Sequence, residues 1–171
     1  MAIISKKCSS DEDYAKVSLF VLENIRDIHP SFTTIDTVTL LYSYLTKGFL
    51  VCSENENNEV VGAGGYYLGT PEEDFQNKDV AFVDFAIYSR EKRGTRAFIQ
   101  GLTYLIRMIA EEHREVEHFR LAALSDNGYL CKLYGKFAKP VYTRTGELGE
   151  ETVFGCRISE IETILSAYHR I

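Results

Sequence analysis

Apolar and polar positions along this chain follow two periods, and each change of period marks a new element. After a short strand at residues 2–5, Ser9 or Ser10 can cap a helix whose first turn is acidic (Asp11, Glu12, Asp13). Its apolar stripe holds Tyr14, Val17, Phe20, Val21, Leu22 and Ile25, and it runs to about Ile28. A second helix, Thr34–Lys47, places Val38, Leu41, Tyr42 and Leu45 at helical spacing and stops at Gly48. The period then becomes extended. "GFLVCSE" and "EVVGAGGYYLG" flank the polar turn "NENN" as a β-hairpin, and the glycines of its second strand hint at irregular pairing. A ten-residue loop, "TPEEDFQNKD", leads into a buried strand, "VAFVDFAIY". A long helix follows from Arg96 to about Arg114, with Ile99, Leu102, Leu105, Ile106 and Ile109 on its apolar face. The chain continues with a strand at residues 117–124, a short helix in "SDNGYLCKLYGKFAKP", two strands ("VYTRTGE" and "TVFGCRI") and an amphipathic C-terminal helix.

This succession describes one α/β domain over residues 1–171: a strand and two helices in 1–48, the core sheet in 49–158 and a helix in 159–171. A chain of 171 residues, 45% hydrophobic and 26% charged, has the length and composition for one packed core. No apolar leader opens it and no run approaches the roughly 18 apolar residues of a membrane span, so a cytoplasmic protein without membrane contact is expected. Cys8, Cys52, Cys131 and Cys156 lie far apart with no C-x-x-C pair, which signals reduced structural thiols rather than a zinc or disulfide framework. A formal net charge of −6 argues against general affinity for nucleic acid.

Against that acidic background one stretch is basic. "YSREKRGTRAF", residues 88–98, gathers Arg90, Lys92, Arg93 and Arg96 around Gly94, between a strand and the long helix. Backbone N–H groups at a helix N-terminus, a glycine that permits close approach and flanking cations together make an anion site suited to a phosphate or pyrophosphate. The competing reading is a solvated turn in which Gly94 serves backbone geometry alone.

Strand, basic turn, helix, strand and then a helix carrying N-x-x-(apolar)-x-x-L-Y at Asn127, Leu130, Leu133 and Tyr134 resembles the GCN5-related N-acetyltransferase (GNAT) family. The resemblance covers residues 49–158 and implies the acyl-CoA N-acyltransferase fold, a mixed, mostly antiparallel sheet flanked by helices. It implies acetyl-CoA as cosubstrate, no metal, direct transfer to a primary amine of a small molecule or protein, and an opening between the strand of Asp84 and the strand at residues 117–124. The family's Q/R-x-x-G-x-G/A pattern is matched at Gly94 and broken by Glu91 and Arg96, although Ala97 follows directly. The spelling "RGTRA" is similar to one used by a subset that includes phage-encoded members. On this resemblance CoA binding falls to Tyr88, Arg93, Gly94, Thr95, Arg96, Ala97 and Asn127.

Acetyl transfer to an ammonium needs a base, and the departing thiolate gains from an acid. Asp84 is the only charged residue in the apolar run 80–88, where a carboxylate must be hydrogen-bonded, face a cavity or shift its pKa. The resemblance makes it the general base; the alternative is a structural acid. Tyr134, last in the N-x-x-(apolar)-x-x-L-Y segment, stands where the family places the thiolate-protonating tyrosine, the alternative being a core aromatic. Asn127 either touches CoA or caps its helix. Cys131 reads as a small buried hydrophobe rather than a nucleophile, and "EEHREVEH" at residues 111–118 as a solvated face rather than a metal site. Glu72, Glu73, Asp74 and Asp79 outweigh Lys78 in the loop at residues 70–79, which suits a cationic acceptor or a solvated surface. On the C-terminal helix Ile161, Ile164, Leu165 and Tyr168 are available to this domain or to a second copy in a homodimer. The rival to the enzyme is a non-catalytic protein of the same fold that binds a protein partner or senses CoA.

Overall fold

A computed structural model describes residues 2–94 and 96–169. The chain divides into two compact units, Met1–Tyr66 with Ala86–Tyr104, and Tyr67–Phe85 with Leu105–Ile171. The strands form a mixed, mostly antiparallel open sheet flanked by helices.

In the first unit β1 (Ile4–Lys7) pairs antiparallel with β2 (Phe49–Glu54), and β2 with β3 (Val60–Leu68). β5 (Ala86–Tyr88) adds to the first half of β3, with Gly62 opposite Tyr88. Helix α1 (Asp11–Asn24) starts with Ser10 and Asp13 satisfying each other's backbone N–H groups, and α2 (Thr34–Lys47) repeats the device with Thr33 and Asp36. α1 ends at Asn24, short of the expected Ile28, and a 3₁₀ turn (Ile25–Asp27) carries the chain on. Val17, Phe20, Val21 and Ile25 are buried as the periodicity requires, whereas Leu22 is exposed. On α2 the buried face is Thr37, Leu41 and Tyr44; Val38, Tyr42 and Leu45, read from the sequence as its core stripe, face outward. Two apolar stripes at helical spacing compete on this helix. Tyr44 decides between them, because Gly65 of β3 leaves room for its ring: an added Cβ there would stand 2.5 Å from Tyr44 Cε1.

In the second unit Tyr67 and Leu68 of β3 pair with β4 (Val80–Val83), which runs parallel to β6 (His118–Leu124). β8 (Gly149–Arg157) lies antiparallel on β6, and β7 (Lys139–Gly146) closes the hairpin at the edge. Helix α4 (Gly128–Tyr134) follows β6, and α5 (Ile158–Tyr168) follows β8. Ile161 and Leu165 of α5 are buried and Tyr168 packs on Phe137, so part of this helix's apolar face covers its own unit. Helix α3 (Ala97–Glu112) begins in the first unit and ends in the second, with Leu102, Leu105, Ile106 and Ile109 buried. Among the described residues no helix is long and apolar enough to cross a membrane, and no group of three or more His, Cys, Asp or Glu side chains could hold a metal ion. All four cysteines are free thiols.

The single strand expected at residues 80–88 is two strands, with Asp84 and Phe85 between them. Phe82 is paired with Tyr67, and Ala86 with Gly64. Along β3 the register therefore changes by one residue, the signature of a bulge. After Val83, opposite Leu121, β4 also leaves β6, while Ala122, Ala123 and Leu124 continue in pairing with β8. The expected parting from the strand at residues 117–124 thus begins at Asp84.

Candidate active site

The basic turn is built in the first unit. Ser89 N–H donates to Val61 O at 2.9 Å, a 3₁₀ turn (Arg90–Lys92) follows, and Gly94 adopts φ 75°, a left-handed conformation that favours glycine. An added Cβ at Gly94 would meet nothing within 4 Å, so the space over its backbone is open. α3 starts at Ala97, with Gln100 N–H donating to Arg96 O at 3.0 Å. Amides in the first turn of such a helix point along its axis, away from the helix body.

The arginines of this turn are organised by a carboxylate that sequence reading did not single out. Asp27, at the end of the 3₁₀ turn after α1, accepts from Arg90 Nη2 at 2.7 Å and Nε at 3.1 Å. It also accepts from Arg93 Nη2 at 2.9 Å, and Arg93 Nε donates to Tyr88 O at 2.9 Å. Arg90 first, then Arg93, holds the Asp27 carboxyl down at about 2. No local signal could have announced this: Asp27 lies 63 residues from Arg90 in sequence.

Tyr88 turns its side chain inward. Its ring lies on the α-carbon of Gly62, its hydroxyl sits against Gly101 of α3, and it hydrogen-bonds Ser53 Oγ at 3.3 Å, which in turn bonds Ser5 Oγ at 2.9 Å. Burial raises the Tyr88 phenol pKa. The Tyr88 side chain is half-buried, and Ala97 is buried. Arg93, Gly94 and Arg96 line the turn, and Thr95 lies outside the described residues.

Asp84 and Tyr134 belong to the second unit. Asp84 is half-buried at the break between β4 and β5. Tyr134, the last residue of α4, is 1% exposed, with its ring edge-on to Phe154 at 6.1 Å between centroids. Burial, with the Asp84 charge as the second cause, pushes the Tyr134 phenol well above its ordinary value. Asn127 is the N-cap of α4, its Oδ1 accepting from Leu130 N–H at 3.1 Å. Cys131 Sγ donates to Leu124 O at 3.5 Å, and burial, then Asp126, raises its thiol pKa, which disfavours a thiolate nucleophile.

No family model matches the sequence and no curated protein matches it. Solved structures do match in three dimensions. An aminoglycoside acetyltransferase AAC(6')-Ib, in complex with coenzyme A and kanamycin, superposes with a TM-score of 0.72 at 16% identity, over 95% of this chain and 98% of that one. The ribosomal-protein-S5-alanine acetyltransferase from Vibrio fischeri gives 0.67 at 11% identity, over 91% and 92%. A GCN5-related N-acetyltransferase from Kribbella flavida gives 0.67 at 13% identity, over 91% and 98%.

The fold is that of the GCN5-related N-acetyltransferases.

On this GNAT fold the strand-to-helix turn lies in the first compact unit, and Asp84 and Tyr134 lie in the second. The turn offers what an anion needs: a positive φ at Gly94 with open space above it, a helix start and clustered cations. The second unit offers a half-buried carboxylate and a neutral phenol under its electrostatic influence. The acidic loop of the same unit keeps Glu72, Glu73, Asp74 and Asp79 exposed, over a tied base. Thr70 is fully buried and bonds Asn77, while Glu72 accepts from Arg144 and Tyr142.

Proposed function

We propose that this chain is an N-acetyltransferase that passes an acetyl group from acetyl-CoA directly to a primary amine of a small molecule or protein. The observation that carries this reading is the turn at residues 88–97: a left-handed glycine with nothing above it, flanked by arginines, at the start of the long helix of a GNAT fold. The residues present fit the pyrophosphate of CoA, with Arg93, Gly94, Arg96 and the amide of Ala97 as its ligands. When bound, the thioester supplies the activated acetyl group.

In the proposed chemistry Asp84 takes a proton from the acceptor ammonium, directly or through water, and the freed amine forms the new C–N bond as the C–S bond breaks. Tyr134 gives its proton to the departing sulfur and regains the second proton that the nitrogen sheds on becoming an amide, so the products are an amide and CoA thiol, with the first proton passing from Asp84 to solvent. A phenol whose pKa is raised stays protonated through neutral and mildly alkaline pH, so Tyr134 would be in its donor form there. The raised Cys131 thiol favours direct transfer over an acyl-cysteine route. Glu72 is taken by Arg144, so a cationic acceptor would be drawn by Glu73, Asp74 and Asp79 alone. Glu91 and Arg96, the departures from the family's pattern, favour the rival reading of a non-catalytic CoA-sensing protein.

Thiol release from acetyl-CoA, followed with a panel of polyamines, aminoglycosides and lysine peptides, tests the proposal. Wild type should turn over at least one amine, and Tyr134→Phe should lower kcat by roughly 10²-fold with little change in CoA affinity. CoA binding without turnover of any amine would favour the non-catalytic reading. Equal rates in Tyr134→Phe and wild type would remove Tyr134 from the chemistry.

A further inference from the structure

The basic turn already holds an anion of its own. Arg90 presents its Nε–Nη2 edge to both carboxylate oxygens of Asp27, and Arg93 spends the same edge on Asp27 Oδ2 and the Tyr88 carbonyl. That edge is the planar fork with which a guanidinium grips either a carboxylate or a phosphate, because the two acceptors present oxygens at matching spacing. In the absence of phosphate, Asp27 therefore occupies donors that a phosphate would use.

We propose that Asp27 is the resident counter-anion of the turn, a carboxylate that phosphate groups of an incoming ligand displace from Arg90 and Arg93. This rests on the reading of the turn as a pyrophosphate site. The charges favour exchange: one carboxylate faces two guanidiniums, leaving the trio with a surplus positive charge, and a diphosphate carries more negative charge than the group it replaces. The position allows it, since Asp27 stands on a three-residue 3₁₀ turn after α1 rather than inside a regular helix, and the Arg90 side chain is 79% exposed. Asp27 thereby lowers affinity for any anion at the turn, and ligand binding frees the 3₁₀ turn from the arginines.

Calorimetric titration of inorganic pyrophosphate and of CoA into wild type, Asp27→Asn, Arg90→Gln and the double variant tests this, with thermal melts to establish that each is folded. Asp27→Asn removes one negative charge a few ångströms from the site and should tighten both ligands roughly five- to tenfold. The gain should shrink at least threefold in the Arg90→Gln background, because much of it comes through the released guanidinium. Asp27→Ala, which cannot keep even an amide hydrogen bond, should reproduce the gain. Equal or weaker binding by folded Asp27→Asn, beside CoA binding by wild type, would overturn the displacement and leave the cofactor reading standing. A gain of the same size with and without Arg90 would also overturn it, leaving only a distant field effect. Failure of all five proteins to bind either ligand would overturn both readings.

Discussion

Gly101→Ala should destabilise the protein through one atom of Tyr88. An ideal Cβ at Gly101 would lie 1.9 Å from the Tyr88 hydroxyl oxygen, 3.3 Å from its Cζ and 3.6 Å from Ser53 Oγ. Tyr88 cannot retreat toward β3, because its ring already rests on Gly62, where a Cβ would stand 2.4 Å from Cε1. Forcing a methyl into such a site costs about 1–3 kcal/mol. Loss of the Tyr88–Ser53 hydrogen bond adds about 1 kcal/mol, and the better helix propensity of alanine returns up to about 1 kcal/mol. The net loss is about 2 kcal/mol, a fall in Tm of about 4–8 °C for a chain of this size. Tyr88→Phe removes the oxygen at 1.9 Å and leaves a ring carbon at 3.3 Å, a tight but adjustable contact. The double variant should therefore be more stable than the sum of the single changes by about 1 kcal/mol. Thermal melts of the four proteins decide it. A Gly101→Ala protein at least as stable as wild type, or strict additivity in the cycle, would refute the reasoning.

Asp27 sets an acid-side prediction. Its carboxyl is depressed from 3.8 to about 2 in the folded protein, so its contribution to stability is complete above about pH 4 and disappears as pH falls toward about 2. Asp27→Asn should therefore flatten the fall in Tm across that window, and an unchanged slope would contradict the ion pairs with Arg90 and Arg93. Asn127→Ala should lower stability by about 1 kcal/mol through loss of the α4 cap, and Asn127→Asp should retain it; equal melts for Ala and Asp variants would count against the capping role.

How far the sequence reached depends on whether its signals were local. α2 was legible to the residue because Thr33 with Asp36 and Gly48 punctuate it at both ends. Its buried face was not, since the outward stripe of Val38, Tyr42 and Leu45 has the same period as the inward one and only the cavity at Gly65 selects Tyr44. The break at residues 84–85 lacks glycine and proline. Asp84 is its one sign in the sequence, and a lone carboxylate in an apolar run suits a chemical role on a continuous strand as well as the end of a ladder. Of the candidate site, the turn, Gly94, Asp84 and Tyr134 could be placed from order along the chain. The inward turn of Tyr88 depends on Gly62 and Gly101, and the arrest of Arg90 and Arg93 depends on Asp27, pairings that only the folded chain creates.

The central claim is that the turn at residues 88–97 binds the pyrophosphate of CoA. Calorimetric titration of CoA into wild type and Gly94→Glu tests it most directly, because a glutamate there brings a negative charge and a side chain into the open space over the turn. Saturable binding by wild type, weakened at least tenfold in a variant that still folds, is the result the account predicts. Equal affinities would contradict it, and the turn would then be only the connection between β5 and α3.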